Sequence, residues 1–146
     1  EKPERKLDTI IDAGADIITI HQESTTRLYS CIEKIKSRGV KAGVVLSPAT
    51  NEDTLKYVLD KIDMILLMTI NPGEAGPGFH EELLTKIKNV RELIGDRDID
   101  LEVDGGIDNT NIAKCKEAGV NVFVSGGYVF KGDIAEKIKT LREALK

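Results

Sequence analysis

The segment LEVDGGIDNT, residues 101–110, indicates the fold most directly, because an apolar strand ends here in a carboxylate and opens at once into two glycines. Leu101 and Val103 alternate with Glu102 and Asp104, and alternate residues of a strand share one face. A carboxylate at a strand end packs poorly, but ligand sites of α/β proteins lie beyond the carboxyl ends of the strands. The segment therefore predicts a strand with a candidate functional group at its tip.

The composition is that of a soluble globular protein, and it excludes several classes of partner. The 146 residues suffice for one domain, 1–146, with 40% hydrophobic and 32% charged residues. No apolar run approaches a membrane span, the net charge is −4 and no basic stripe is present, so we expect neither a membrane nor a nucleic acid as partner. The first residues read EKPERK, not a signal peptide, and Cys31 and Cys115 show no C-x-x-C spacing, which favours a cytoplasmic protein.

Short apolar segments alternate along the chain with amphipathic ones. The predicted strands are Asp16–His21, Ala42–Ser47, Met64–Ile70, Asp100–Asp104 and Asn121–Ser125. The predicted helices are Thr25–Arg38, Glu52–Ile62, His80–Ile94, Thr110–Ala118 and Ile134–Leu145. Strands rich in Val and Ile are typical of a parallel sheet buried on both faces. Repeated strand–helix units predict an α/β fold, either a doubly wound sheet or part of a (β/α)8 barrel.

Polar residues follow the predicted strands, and two of them form a candidate site. If His21 and Asp104 face one cavity, an imidazole and a carboxylate meet at its rim, which suits a divalent metal or general acid–base chemistry. Glu102 would lie one layer deeper as a supporting group. The simpler alternatives are a structural histidine and a turn aspartate. His80 is interpreted as a surface or capping residue.

Two glycine segments and one long loop also follow strands. Glycines in DGGID (104–108) and VSGGYVFKG (124–132) let backbone N–H groups approach an anion, although two tight turns would have the same pattern. The segment MTINPGEAGPGF (68–79) is too long for a simple turn, so it is either a lid over the strand ends or a solvated loop.

Five blocks carry a family resemblance over essentially the whole chain. They read AGADIITIHQE (13–23), KAGVVLSPAT (41–50), LLMTINPGEAGPGF (66–79), LEVDGGID (101–108) and NVFVSGGYVF (121–130). In order and spacing they resemble the ribulose-phosphate 3-epimerase family. The resemblance implies a TIM (β/α)8 barrel of the ribulose-phosphate-binding type. Only the last five strands would be present, and they would leave open sheet edges.

The resemblance also implies a reaction and the residues that perform it. It implies an isomerase of the pentose phosphate pathway that interconverts D-ribulose 5-phosphate and D-xylulose 5-phosphate. The C3 proton would be removed to give an enediolate, with a divalent Zn, Mn, Fe or Co ion as cofactor. His21 would bind metal and substrate, and Asp104 would be both a metal ligand and a catalytic acid–base group. The remaining substrate contacts would be Met68, Gly73, Glu74, Ala75 and Gly76, and the phosphate contacts Gly105, Gly106, Gly126 and Gly127. Family members associate through their helical shell, so a homo-oligomer is expected.

Departures from the family pattern leave alternatives open. The family's motif begins before this chain does, so a second metal histidine and the opposite-face aspartate are expected from other strands. The chain alone could then be a non-catalytic phosphate-binding fragment. Glu74 stands where an aromatic is usual, Pro77 where Gln is usual and Gly127 where Ser is usual, which makes a D-allulose 6-phosphate 3-epimerase an alternative. A decarboxylase or synthase would need a lysine near the strand ends, whereas Lys41 lies at a strand start.

Overall fold

The computed structural model describes residues 1–74 and 78–146, and it contains one parallel five-stranded sheet in the order β1-β2-β3-β4-β5. The strands are β1 (Ile17–His21), β2 (Lys41–Leu46), β3 (Met64–Met68), β4 (Asp100–Asp104) and β5 (Val122–Val124). All five predicted strands are confirmed, with β4 at the predicted residues. Because β1 and β5 are the outer strands, the predicted open edges are also present.

Helices connect the strands, as predicted for an α/β fold. They are α1 (Leu7–Asp12), α2 (Leu28–Ser37), α3 (Leu83–Ile94), α4 (Ile112–Glu117), α5 (Gly126–Val129) and α6 (Ile134–Ala144). Short 3-10 helices lie at Pro3–Arg5, Gln22–Ser24, Glu52–Tyr57 and Leu59–Lys61. None of the helices in the described ranges is both long and apolar enough to span a bilayer.

The prediction of one helix over Glu52–Ile62 was wrong, because this segment forms two 3-10 helices. The Asn51 side chain accepts a hydrogen bond from the Asp53 N–H at 2.7 Å, and the Thr54 hydroxyl donates to the Asn51 carbonyl at 3.0 Å. Side-chain bonds of this kind compete with the α-helical ladder. The apolar residues of the segment still face the core, since Leu55 and Leu59 are buried.

The core lies between one face of the sheet and the helices. Its fully buried strand residues include Val44, Ile65, Leu101 and Val103. They pack against helical side chains that include Ile32, Ile35, Ile87, Val90, Ile94 and Cys115. Burying one such side chain contributes about 1.5–3 kcal/mol. This continuous apolar layer fixes the strands and therefore the position of their carboxyl ends.

The Val- and Ile-rich strands predict a sheet that is buried on both faces. The structure confirms this prediction for β2 alone. In β1, β3 and β4 buried residues alternate with partly or fully exposed ones. The less buried face carries Thr19, His21, Met68, Glu102 and Asp104. The reason is that the core cluster covers the opposite face of the sheet. The candidate site residues therefore lie on the open face.

The two cysteines are buried and free, as predicted. Cys31 lies in α2 and Cys115 in α4. Burial raises the pKa of the Cys115 thiol to about 11. At neutral pH this thiol is protonated and behaves as a small apolar core group.

Candidate functional site

Asp104 and Met68 end neighbouring strands and are paired in the register of β3 and β4. Both side chains are partly buried on the open face of the sheet. Burial raises the pKa of the Asp104 carboxyl, and a hydrogen bond from the Gly105 N–H partly offsets this rise. A carboxylate whose pKa is raised is a stronger base than an ordinary one, which suits general base catalysis.

Thr69 fixes the backbone at the end of β4. Its N–H donates to the Asp104 carbonyl at 2.8 Å, and its single hydroxyl proton is shared between the same carbonyl, at 3.0 Å, and the Gly105 carbonyl. Thr69 is completely buried. Because these bonds are shielded from water, the strand end that carries the Asp104 carboxylate is held firmly against β3.

The DGG loop requires its two glycines for reasons of backbone conformation and space. Gly105 has φ +126°, and a Cβ there would lie 2.6 Å from Ile70 Cγ1 and 2.7 Å from the Ile70 nitrogen. Gly106 has φ +65°, and a Cβ there would lie 2.8 Å from the Phe79 nitrogen. The far end of the long loop therefore rests on Gly106. These contacts explain both glycines without a ligand, and phosphate binding by them stays a prediction.

The second glycine segment lies beside the first. The Ser125 hydroxyl donates to the Ile107 carbonyl at 2.6 Å, which ties the loop after β5 to the loop after β4. Gly126 and Gly127 form the first turn of α5, a helix that the sequence did not predict. A Cβ at either position would meet nothing within 4 Å. The space around these glycines is open, and their predicted phosphate role is untested.

His21 ends β1, and the sheet order separates it from Asp104. In register, His21 pairs with Val45, Val45 with Leu66, and Leu66 with Glu102. Adjacent strands lie about 4.8 Å apart, so roughly 14 Å of sheet separates the β1 and β4 backbones. Within the described residues no group of three His, Cys, Asp or Glu side chains could hold a metal ion. The histidine and the aspartate thus lie at one end of the sheet, but they do not form a metal cluster in this chain.

Glu102 lies two residues before Asp104 on the same face, as predicted. Burial raises the pKa of the Glu102 carboxyl, and the nearby carboxylates of Asp104 and Asp100 raise it further. Glu102 also lies level with His21 in the sheet register. This half-buried carboxyl is placed to affect the charge of the site from one layer below.

The sequence analysis missed a polar network around His21. The His21 Nδ1 atom lies 3.6 Å from Glu23 Oε2. Glu23 Oε1 accepts hydrogen bonds from the Ser47 N–H at 2.8 Å and from the Thr50 hydroxyl. Burial acts to raise the pKa of Glu23, but these bonds outweigh it, so its pKa lies below the ordinary value. The H-x-E spacing was a signal that could have identified Glu23.

Lys86 was also missed, because a lysine in an amphipathic helix is usually solvated. It is only 9% exposed, and its ammonium donates to the carbonyls of Ser47 at 2.9 Å, Pro48 at 3.2 Å and Thr50. Burial lowers the pKa of this ammonium. Lys86 thus attaches α3 to the loop after β2.

The described part of the predicted lid forms a turn. Gly73 has φ +83°, the Glu74 N–H donates to the Asn71 carbonyl at 3.1 Å, and the Asn71 amide donates to the Glu74 carboxylate at 3.3 Å. The predicted contacts at Ala75 and Gly76 lie outside the described residues. His80 is exposed, which confirms that it is a surface residue.

Two shallow surface cavities lie elsewhere. One of about 370 Å³ is lined mainly by α2, with contributions from Glu4 and Leu7. The other, of about 400 Å³, lies between α2 and the 3-10 segment Leu59–Lys61. Neither is lined by His21 or Asp104, so the chemistry-bearing residues lie on the open end of the sheet rather than in these cavities.

Comparisons with known proteins give a consistent result. The sequence profile of the "Ribulose-phosphate 3 epimerase family" matches residues 1–130. The chain is 42% identical to the "Ribulose-5-phosphate-3-epimerase, chloroplastic" of Arabidopsis thaliana, covering 97% of this chain and 52% of that protein. It is 40% identical to the "Ribulose-phosphate 3-epimerase" of Bacillus subtilis, covering 97% and 67%, and 43% identical to that of Escherichia coli K12, covering 91% and 60%. The chain therefore spans about half to two thirds of the length of these relatives.

Solved structures support the barrel-type fold. A 3-hexulose-6-phosphate synthase aligns with a TM-score of 0.77 at 24% identity, over 100% of this chain and 70% of that chain. A tryptophan synthase α-subunit from Pyrococcus furiosus aligns with a TM-score of 0.65 at 16% identity, over 97% and 57%. At these identities the likeness concerns the fold alone. It agrees with the predicted α/β class and with the parallel βα units of a TIM barrel.

Proposed function

The chain belongs to the ribulose-phosphate 3-epimerase family, and from this membership we propose that it serves the epimerisation of a ketose phosphate at C3. The favoured pair is D-ribulose 5-phosphate and D-xylulose 5-phosphate. The observation that carries the proposal is Asp104, a carboxylate at a strand end whose pKa is raised by burial. Thr69 holds its backbone, and two glycine loops lie beside it.

In the proposed reaction Asp104 is the base on one face of the substrate. The C3 proton is acidic because C3 is bonded to the C2 ketone carbon. The Asp104 carboxylate takes this proton, and the electron pair of the C–H bond moves into an enediolate. Return of a proton to the opposite face of C3 gives the epimer. That step needs a second acid on the far side, which the family resemblance assigns to strands other than those of this chain.

We also propose a divalent cofactor, Zn, Mn, Fe or Co. An imidazole nitrogen and a carboxylate oxygen are suitable donors for these ions, so the chemistry of His21 and Asp104 fits. The two side chains end strands that are separated by β2 and β3, and the described residues contain no group of three such donors, so each of the two would supply only part of a coordination shell. When bound, the ion supplies positive charge that stabilises developing negative charge on the substrate oxygens.

The remaining substrate contacts follow from the same family membership. Met68 would pack against the reacting carbons, because it is paired with Asp104 at the strand ends. The loop that includes Gly73 and Glu74 would cover the sugar. The backbone N–H groups of Gly105, Gly106, Gly126 and Gly127 would hold the phosphate. We further propose a homo-oligomer, which sedimentation of the purified protein would test.

Glu74 supports a second candidate substrate, the ketohexose phosphate D-allulose 6-phosphate. Its carboxylate is exposed in a turn at a position where the family usually has an aromatic residue. A carboxylate can accept a hydrogen bond from an additional sugar hydroxyl, whereas an aromatic ring cannot. Comparison of kcat/KM for the two sugars, with Glu74→Phe as a variant, would separate the candidates.

Proton exchange at C3 tests the proposed reaction directly. The protein is incubated with ribulose 5-phosphate and Mn²⁺ or Zn²⁺ in D2O, and after the metal is removed, C3 is followed by NMR. We expect deuterium at C3 that is lost in Asp104→Asn and retained in Asp98→Asn, since Asp98 is exposed and precedes the start of β4, at the opposite end of that strand from Asp104.

The product of this experiment distinguishes the alternatives. Deuterated xylulose 5-phosphate means that both faces of C3 are served. Deuterium in unchanged ribulose 5-phosphate means that Asp104 acts on one face only. If no exchange occurs while inorganic phosphate still binds, the chain is a non-catalytic phosphate-binding unit and the epimerase proposal fails for it.

A further inference from the structure

We propose that Glu23 is a positioning residue that fixes the Nδ1–H tautomer of His21, and that Lys86 holds Glu23 in place through the loop of residues 47–50. We call the connection from Lys86 through the loop of residues 47–50 and Glu23 to His21 the relay. Its functional meaning rests on the proposed role of His21 as a ligand. Its test does not, because a tautomer can be measured without metal or substrate.

The first step of the relay is the pairing of His21 with Glu23. The His21 Nδ1 atom lies 3.6 Å from Glu23 Oε2, which is beyond hydrogen-bond length but within ion-pair distance. An ionised carboxylate can only accept, so it favours the tautomer in which the nitrogen that faces it carries the proton. Nε2 is then the nitrogen with a free electron pair, which is the form of imidazole that binds a metal ion.

The second step is that the two carboxylate oxygens of Glu23 have different partners. Both of the hydrogen bonds from the loop, from the Ser47 N–H and the Thr50 hydroxyl, go to Oε1. Oε2 therefore remains directed to His21. Since two donors from one loop fix the carboxylate, its orientation follows the position of that loop.

The third step is the attachment of the loop by Lys86. The ammonium has three protons, and three carbonyls of the loop accept from it, those of Ser47, Pro48 and Thr50. At 9% exposure Lys86 has little water to replace a lost carbonyl. An apolar side chain of similar length would leave the carbonyls without their donor and would loosen the loop that fixes Glu23.

The chain contains a matched comparison in its only other histidine. His80 Nδ1 lies 3.6 Å from Glu82 Oε1, with the same spacing along the sequence. The Glu82 side chain is 77% exposed, against 36% for Glu23. His80 thus faces a carboxylate at the same distance, but that carboxylate is largely exposed to solvent. We therefore expect His80 to show the mixture of tautomers of a solvated imidazole.

NMR of the metal-free protein labelled with ¹⁵N-histidine tests the relay. Long-range ¹H–¹⁵N correlations, recorded at a pH where the spectra show neutral imidazole, report which nitrogen of each histidine carries the proton. We expect mainly the Nδ1–H form for His21, and mainly the Nε2–H form in Glu23→Ala. The tautomer mixture of His80 should be the same in the variant as in the unmodified protein, and the dispersion of the amide spectrum verifies that the variant is folded.

Variants of Lys86 test the more distant part of the relay. Lys86→Met should shift the His21 tautomer towards that of Glu23→Ala, and Lys86→Arg, which keeps the donors, should restore it. Thr50→Val, which removes one donor to Glu23, should shift the tautomer in the same direction. If Lys86→Met does not fold, Lys86→Gln, a polar side chain with fewer donors, takes its place. An Nε2–H form of His21 in the unmodified protein, or no change in Glu23→Ala, would overturn the proposal. No change in a folded Lys86→Met would remove Lys86 from it. Each result is independent of whether the protein is an epimerase.

Discussion

Substitution of Gly105 by alanine should destabilise the fold through two separable causes. Gly105 has φ +126°, so an L-residue there is strained by about 1–2 kcal/mol. The added Cβ would also lie 2.7 Å from the backbone nitrogen of Ile70, in the segment that follows β3, and a backbone atom cannot give way as the end of a flexible side chain can. Overpacking of this kind costs about 1–3 kcal/mol. We therefore expect the free energy of unfolding to fall by about 2–5 kcal/mol.

Two other glycines separate these causes. Gly14 has φ +92° with nothing within 4 Å of a Cβ, so Gly14→Ala tests the strain alone and should cost about 1–2 kcal/mol. Gly127 lies in the first turn of α5 with open space around it, so Gly127→Ala should leave stability unchanged or raise it by up to about 1 kcal/mol.

Urea unfolding followed by circular dichroism measures the differences. With a slope of about 2 kcal/mol per molar urea, Gly105→Ala should lower the midpoint by about 1–2.5 M and Gly14→Ala by about 0.5–1 M. If the midpoint of Gly105→Ala falls no further than that of Gly14→Ala, the close approach of the DGG loop to Ile70 is refuted. The glycine would then be explained by its backbone conformation or by a ligand.

Three further predictions concern other parts of the chain. Thr69→Val should lower the free energy of unfolding by about 1–3 kcal/mol, since it leaves the buried Asp104 carbonyl with one donor fewer; thermal melts compared with Thr69→Ser, which keeps the hydroxyl, check this. Burial acts to raise the pKa of Asp63, but the Lys36 ammonium and a backbone N–H lower it below its ordinary value. The ionised Asp63 therefore stabilises the fold at pH values above its ordinary pKa, and this contribution is lost as the pH falls through the lowered pKa. The difference in Tm between the unmodified protein and Asp63→Asn should therefore shrink on acidification. A difference that grows would contradict this prediction. Glu23→Ala should weaken Zn²⁺ binding by about 10–100-fold in calorimetry if His21 is a ligand, and an unchanged Kd would count against that role.

Local patterns were sufficient to predict most of the fold. The five apolar segments became the five strands, because a buried parallel strand needs little more than a short run of branched residues. Asp104 was identifiable as a site residue because strand ends in such folds carry ligand sites. Its raised pKa could not be predicted, since it depends on how much water the surrounding structure excludes.

The remaining features depend on contacts between distant parts of the chain. Lys86 is buried because the carbonyls of residues 47–50 accept its protons, and no pattern within α3 indicates that. The 3-10 helix at Glu52–Tyr57 begins with side-chain bonds of Asn51 and Thr54 that compete with the α-helical ladder which the amphipathic pattern predicts. The burial of only one sheet face follows from where the helices pack, which periodicity alone does not specify.

The strand order has a consequence for how the chain folds. Every strand pairs only with the strands that precede and follow it in sequence, from Ile17 with Lys41 to Glu102 with Val122. No pairing has to wait for a distant segment, so loop closure costs little entropy at each stage. The sheet can therefore grow one βα unit at a time, and a chain emerging from the ribosome can add each strand to an edge that is already formed.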